Sequence, residues 1–77
     1  VSARRYARQD AARRTRLERL LRASVELNDI HALCELGLHA EATVRAEVSH
    51  ESGVLSDAEA DGALAQIEAH EAQAVQP

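Results

Sequence analysis

Apolar residues recur at helical spacing along this chain, and nowhere do they alternate with the period of two that marks a strand. Leu17, Leu21 and Val25 stand four apart, with Leu20, Ser24 and Asn28 beside them, so one stripe runs along the second half of a helix predicted over residues 3–27. The first half of that helix offers only Tyr6 and alanines between its polar positions, and is expected to project beyond the body or to fray. Asn28-Asp29 interrupts the pattern. Both residue types favour N-caps, and a short helix over 30–36 is expected to start there. A continuous helix is the alternative, because Leu27, Ile30, Leu33 and Leu36 drift round the axis and mark no boundary.

Gly37 is the clearest stop. A glycine just past a helix end takes the left-handed conformation without strain, and Leu38 after it suits a Schellman ending. The next helix spans 39–50, with Ala40, Val44 and Val48 spaced four apart, and the stretch 49–55 with Gly53 reads as a loop. Ser56-Asp57-Ala58-Glu59 has the form of a capping box, and opens a helix over 57–73 that carries Ala60, Leu64 and Ile67 on one side. The pattern predicts an all-α fold of three to four helices in a small hairpin or bundle. It divides into an N-terminal arm (1–16), a body (17–74) and a frayed tail (75–77).

Composition changes this picture by thinning the core. The chain has 77 residues and no Phe, Trp or Met, and Tyr6 is its single aromatic. A domain of this size buries only about 60% of its unfolded surface and needs reinforcement. One cysteine, Cys34, cannot close an internal disulfide, and no paired Cys/His framework points to structural zinc. A core shared between copies is the remaining remedy, so a homo-oligomer, most simply a two-fold dimer, is expected. Its self-association residues would be Leu17, Leu20, Leu21, Val25, Leu33, Leu36, Val44, Val48, Leu64 and Ile67. No segment approaches the length of an apolar membrane span, and the basic N-terminal stretch leads into no apolar signal core. The expected location is the cytoplasm.

Charge supplies the sharpest division. Eight of the nine basic residues lie in the first 22 positions, and all are arginine; against Asp10 and Glu18 they leave that stretch at +6. The remaining residues set Arg45 against eleven acids, a balance of −10, and together the two parts give the net −4. Guanidinium forks bind carboxylates and phosphates alike. Arg4, Arg5, Arg8, Arg13, Arg14 and Arg16 are therefore the candidate partner-binding residues, for an acidic surface of this or another protein, or for nucleic acid. The acidic body would repel a polyanion, which favours the protein partner.

Two further constellations bear on function. Glu35-Leu36-Gly37-Leu38-His39 followed by Thr43-Val44 resembles a helix-turn-helix corner. It departs from that motif in having Leu33 where a small residue is usual, and its next apolar residue falls seven after Gly37 where six is usual. Its second helix would carry Glu41 and Glu47 beside a single Arg45, which suits a base edge poorly. A dimeric nucleic-acid-binding regulator is the function this corner would imply. Separately, Glu47-Val48-Ser49-His50 has the ExxH spacing of carboxylate metal bundles, and a hairpin at Gly37 would bring Glu26 near it. Glu26, Glu47 and His50 are thus the candidate ligands of a metal-binding bundle, although no metal or other cofactor is required by the pattern. No phosphate-cradling loop or nucleophile elbow is present. Cys34, between Leu33 and Leu36, reads as an inert buried thiol. The reading reached is a non-catalytic helical interaction module that self-associates through its Leu, Ile and Val faces and uses its arginine helix to bind an acidic surface.

Overall fold

A computed structural model describes residues 2–75, apart from the side chains of residues 2, 3, 5 and 75. The expected tail at 75–77 therefore lies outside the described residues except for the backbone of residue 75. Three helices follow one another: α1 (Ser2–Glu35), α2 (His39–Glu51) and α3 (Asp57–Val75). The fold is all-α, with no strand among the described residues.

The break expected at Asn28-Asp29 does not occur. α1 runs through it as one helix of 34 residues, about 50 Å long at 1.5 Å per residue. Tertiary contacts outweigh the weak helix propensity of these two residues. Ala23, Ile30 and Cys34 are buried in a single helical register with Leu27 half-buried between them, and Asp29 is held by Arg45 at 2.9 Å. A kink at Asn28 would take Ile30 and Cys34 out of line with Ala23.

Both turns are closed by glycine in the left-handed region, Gly37 at φ 79° and Gly53 at φ 83°. At the first, the Leu38 N–H reaches the Leu33 carbonyl and the Gly37 N–H the Cys34 carbonyl, each at 2.9 Å. At the second, the Val54 N–H reaches Ser49 and the Gly53 N–H reaches His50, each at 3.0 Å. Both are Schellman endings, in which two carbonyls that would otherwise lack partners are satisfied. α2 consequently extends to Glu51, and the connecting loop is shorter than the stretch 49–55. α3 begins with the expected reciprocal box. The Ser56 N–H donates to Glu59 Oε1 at 2.9 Å, and the Glu59 N–H donates to Ser56 Oγ at 3.2 Å.

The three helices close on small side chains. The core is Ala23, Ile30 and Cys34 from α1, Ala42 and Ala46 from α2, Leu55 from the second turn, and Ala60, Ala63 and Ile67 from α3. Ala42 and Ala46 have no exposed surface at all. Leu27, Leu33 and Leu64 pack at the margin. The face of α2 that turns inward is therefore Ala42, Ala46 and Ser49. The expected apolar face of Ala40, Val44 and Val48 turns to solvent. The first buried residue of α1 is Ala23, so its N-terminal half extends past the body along a long axis of 66 Å, against 17 and 15 Å across.

Candidate interaction surface

Seven of the ten expected self-association residues are exposed: Leu17, Leu20, Leu21 and Val25 on α1, Leu36 at its C-terminal end, and Val44 and Val48 on α2. Leu33 and Leu64 are half-buried, and Ile67 lies inside the chain's own core. Leu21 is 66% and Val44 58% exposed, large fractions for aliphatic side chains that share a helical stripe with others like them. Four of these residues, Leu21, Val25, Val44 and Val48, line two adjoining grooves. A groove of ≈ 600 Å³ between α1 and α2 is lined by Leu33, Ala40, Val44 and Val48 with Glu26 and Arg45. A second depression, between Leu21, Val25 and Val54, adjoins it at Glu26. Glu41 lines the groove, and Glu47 and Glu51 are also exposed on α2.

The floor where the two grooves meet is fixed by a polar lock. Arg45 Nε donates to Glu26 Oε2 at 2.9 Å, and its terminal nitrogen donates to Asp29 at 2.9 Å and to Glu26 Oε1 at 3.3 Å. Ser49, the core's buried polar residue, donates its hydroxyl to Glu26 Oε2 at 2.8 Å. The Arg45 bond foremost, and then the Ser49 bond, hold the Glu26 carboxyl below the ordinary carboxylate range, against a smaller opposing effect of burial. The one base beyond residue 22 is thus paired with two acids, and Glu41 on the rim of the groove keeps its balance acidic.

Among the described residues, the arm's arginines are spread round the helix rather than gathered on one face. Arg4, Arg8, Arg13, Arg14 and Arg16 are exposed, and the side chain of Arg5 lies outside the described residues. Arg19, nearer the body, reaches Glu59 at 3.4 Å and ties α1 to the start of α3. Glu59 is held below its usual range by the Ser56 N–H first, with Arg19 adding to the effect.

The ExxH site expected at Glu26, Glu47 and His50 is not assembled. Glu26 is committed to Arg45 and Ser49, while His50 turns to Asp57 at 2.5 Å. The hairpin does bring α2 beside Glu26, but it sets Ser49 and Arg45 there rather than His50. Among the described residues no group of three or more His, Cys, Asp and Glu side chains is arranged to hold a metal ion. The other histidines gather at the opposite end of the body. His39 and His70 share a hydrogen bond of 2.8 Å, and Glu35 lies 3.7 Å from both His31 and His70. Cys34 is buried beside them, and burial foremost, then the Glu35 charge, pushes its thiol pKa up, the opposite of an activated nucleophile.

Sequence reasoning missed the Glu26–Arg45–Ser49 lock. Its only trace in the sequence is a lone arginine in an otherwise acidic segment. No described helix is long and apolar enough to cross a membrane. Comparison with protein-family models, curated proteins and solved structures returns no match.

Proposed function

We propose that this protein is a non-catalytic helical interaction module that self-associates through its exposed leucines and valines and uses its arginine helix to bind an acidic surface. The observation that carries this reading is the inverted distribution of side-chain size. Five of the nine core residues are alanine, with Ile30, Leu55 and Ile67 the large ones, while Leu17, Leu20, Leu21, Val25, Val44 and Val48 face outward. Burying such side chains against a partner is worth about 25 cal/mol per Å² of apolar surface. The overall dimensions support the same reading. A compact monomer of this mass exposes about 4,600 Å², whereas this chain exposes 6080 Å². Its radius of gyration is 16.7 Å, against about 11.5 Å for a compact chain of equal length. The module would work in a reducing compartment such as the cytoplasm, where its one buried thiol stays reduced.

Leu21→Asp and Val44→Asp test the proposal. Both positions lie outside the chain's own core, so each variant should keep its helical circular dichroism while its solution mass falls to that of a single chain. A variant that retains the wild-type mass would overturn the assignment of this face.

The exposed arginines Arg4, Arg8, Arg13, Arg14 and Arg16 favour a second reading, a nucleic-acid-binding regulator. Its weakness is the outer face of α2, where Glu41, Glu47 and Glu51 are exposed and Arg45 is already paired. Steeply salt-dependent binding to DNA or RNA, lost when the five arginines become glutamine, would establish it. Absence of binding at about 50 mM salt would remove it.

A further inference from the structure

The groove between α1 and α2, floored by Leu33, Val44 and Val48 and edged by Glu26 and Glu41, runs into a depression lined by Leu21, Val25 and Val54. Its natural occupant is a helix with an apolar stripe flanked by bases. The chain contains such a helix in α1 itself, where Leu17 and Leu21 follow Arg13, Arg14 and Arg16: the leucines suit the depression, and the arginines before them suit the acid-edged groove. That segment cannot reach its own groove. α1 is unbroken from Ser2 to Glu35, so the arm runs straight away from the body, and reaches it no further out than the Arg19–Glu59 pair. Beyond that pair, the arm's Arg4, Arg8, Arg13, Arg14 and Arg16 can meet the acids of α2 only between molecules.

We infer that the occupant is a second copy of this chain, and that two copies exchange arms in an antiparallel pair about a two-fold axis at Leu21. The inference rests on the self-association proposed above and adds its geometry. In this register the partner's Leu17 lies beside Val25, and Leu21 meets its own equivalent. The partner's Arg16 and Arg13 come level with Glu26 and Asp29. α2 crosses at the same level, as the Arg45 bonds to Glu26 and Asp29 show, and its exposed Glu41 lines the groove one turn before Arg45. The lengths agree. Residues 2–18, beyond the body, extend about 25 Å, and the 13 residues of α2 about 20 Å. A standard interface takes about 800 Å² from each partner, roughly an eighth of the 6080 Å² exposed. The arm also has reason to be covered, because arginines three and four apart (Arg4 and Arg8, Arg13 and Arg16, Arg16 and Arg19) repel one another on a bare helix.

A charge-swap experiment tests this arrangement. Arm variant Arg13→Glu/Arg16→Glu sets acids against acids in its own dimer, and body variant Glu41→Arg sets bases against bases. Each alone should dimerise at least about tenfold more weakly than wild type at low salt. Mixed in equal amounts they should form a heterodimer of near wild-type affinity, since each arm then meets an opposite charge. All three positions are exposed, and circular dichroism verifies that both variants remain helical; the single Arg13→Glu replaces the arm variant if it does not. A dimeric wild type whose two variants each dimerise undiminished, or whose mixture restores nothing, would overturn the exchange while leaving self-association in place. A monomeric wild type would overturn both.

Discussion

Ala46→Leu probes the feature on which the whole arrangement depends, a core closed by alanines so that larger side chains are left outside. Ala46 sits on α2 with no exposed surface, between the helix before it and the helix after it. Leucine adds three carbon atoms where none fits, and the helices must separate or the side chain must leave its preferred rotamers. Overpacking of this kind costs about 1–3 kcal/mol. For a chain of this length, total stability is on the order of 4–12 kcal/mol, so the loss is a substantial fraction. Urea unfolding followed by circular dichroism at 222 nm, at one fixed protein concentration, measures it. With a denaturant slope of about 1 kcal/mol per molar urea, the midpoint should fall by roughly 1–3 M. Ala65→Leu is the control. It makes the same chemical change on an exposed position of α3, and should stay within about 0.5 kcal/mol of wild type. If Ala46→Leu unfolds at or above the wild-type midpoint with an unchanged slope, the helices are not packed through their alanines and the inside-out reading fails.

Other consequences follow from the lock, the turns and the thiol. Because the Glu26 carboxyl is held below its unfolded value, its contribution to stability is complete above the ordinary carboxylate range and is lost as pH falls through the depressed folded value. Urea midpoints of wild type and Glu26→Gln should therefore differ at neutral pH and converge in acid; a constant gap would show that the charge on Glu26 is not the cause. Gly37→Ala forces a side chain into φ 79° and should lower stability by about 1 kcal/mol, whereas Gly62→Ala, in the middle of α3 with open space around it, should not. Equal effects in thermal melts would refute the Schellman assignment. Cys34, buried and with its thiol pKa raised, should resist alkylation in the native protein and react readily in urea; fast native labelling would contradict its burial.

The ends of the helices were legible in the sequence because they are set by local chemistry. Gly37 with Leu38, and Ser56 with Glu59, state their conformations within four residues, and each forms the hydrogen bonds expected of it. The buried faces were not legible. Ala23, Leu27, Ile30 and Cys34 follow one register, as do Ala42, Ala46 and Ser49, but alanine and serine give little contrast with the other alanines of this chain. The leucine and valine stripes at 17, 21 and 25 and at 44 and 48 are easier to see, and they are the exposed ones. The break expected at Asn28-Asp29 came from the N-cap preference of those two residues, and the register of Ala23, Leu27, Ile30 and Cys34 that carries α1 through it gives too little contrast in the sequence to outweigh that preference. The arginine arm was plain from charge alone. The neutralisation of Arg45 was not, since its partners Glu26 and Asp29 are set opposite it only by the packing of α1 against α2.

The central claim is that the large apolar side chains left outside the single chain are covered by a second one. Solution mass by light scattering, at about 0.05 and about 0.5 M salt, tests it most directly, because screening weakens the arm's charges but leaves apolar contacts intact. The account predicts a species of twice the 8.4 kDa chain mass at both salts, with the dimer weaker at the higher. A monomer at both salts, across all accessible concentrations, would contradict it.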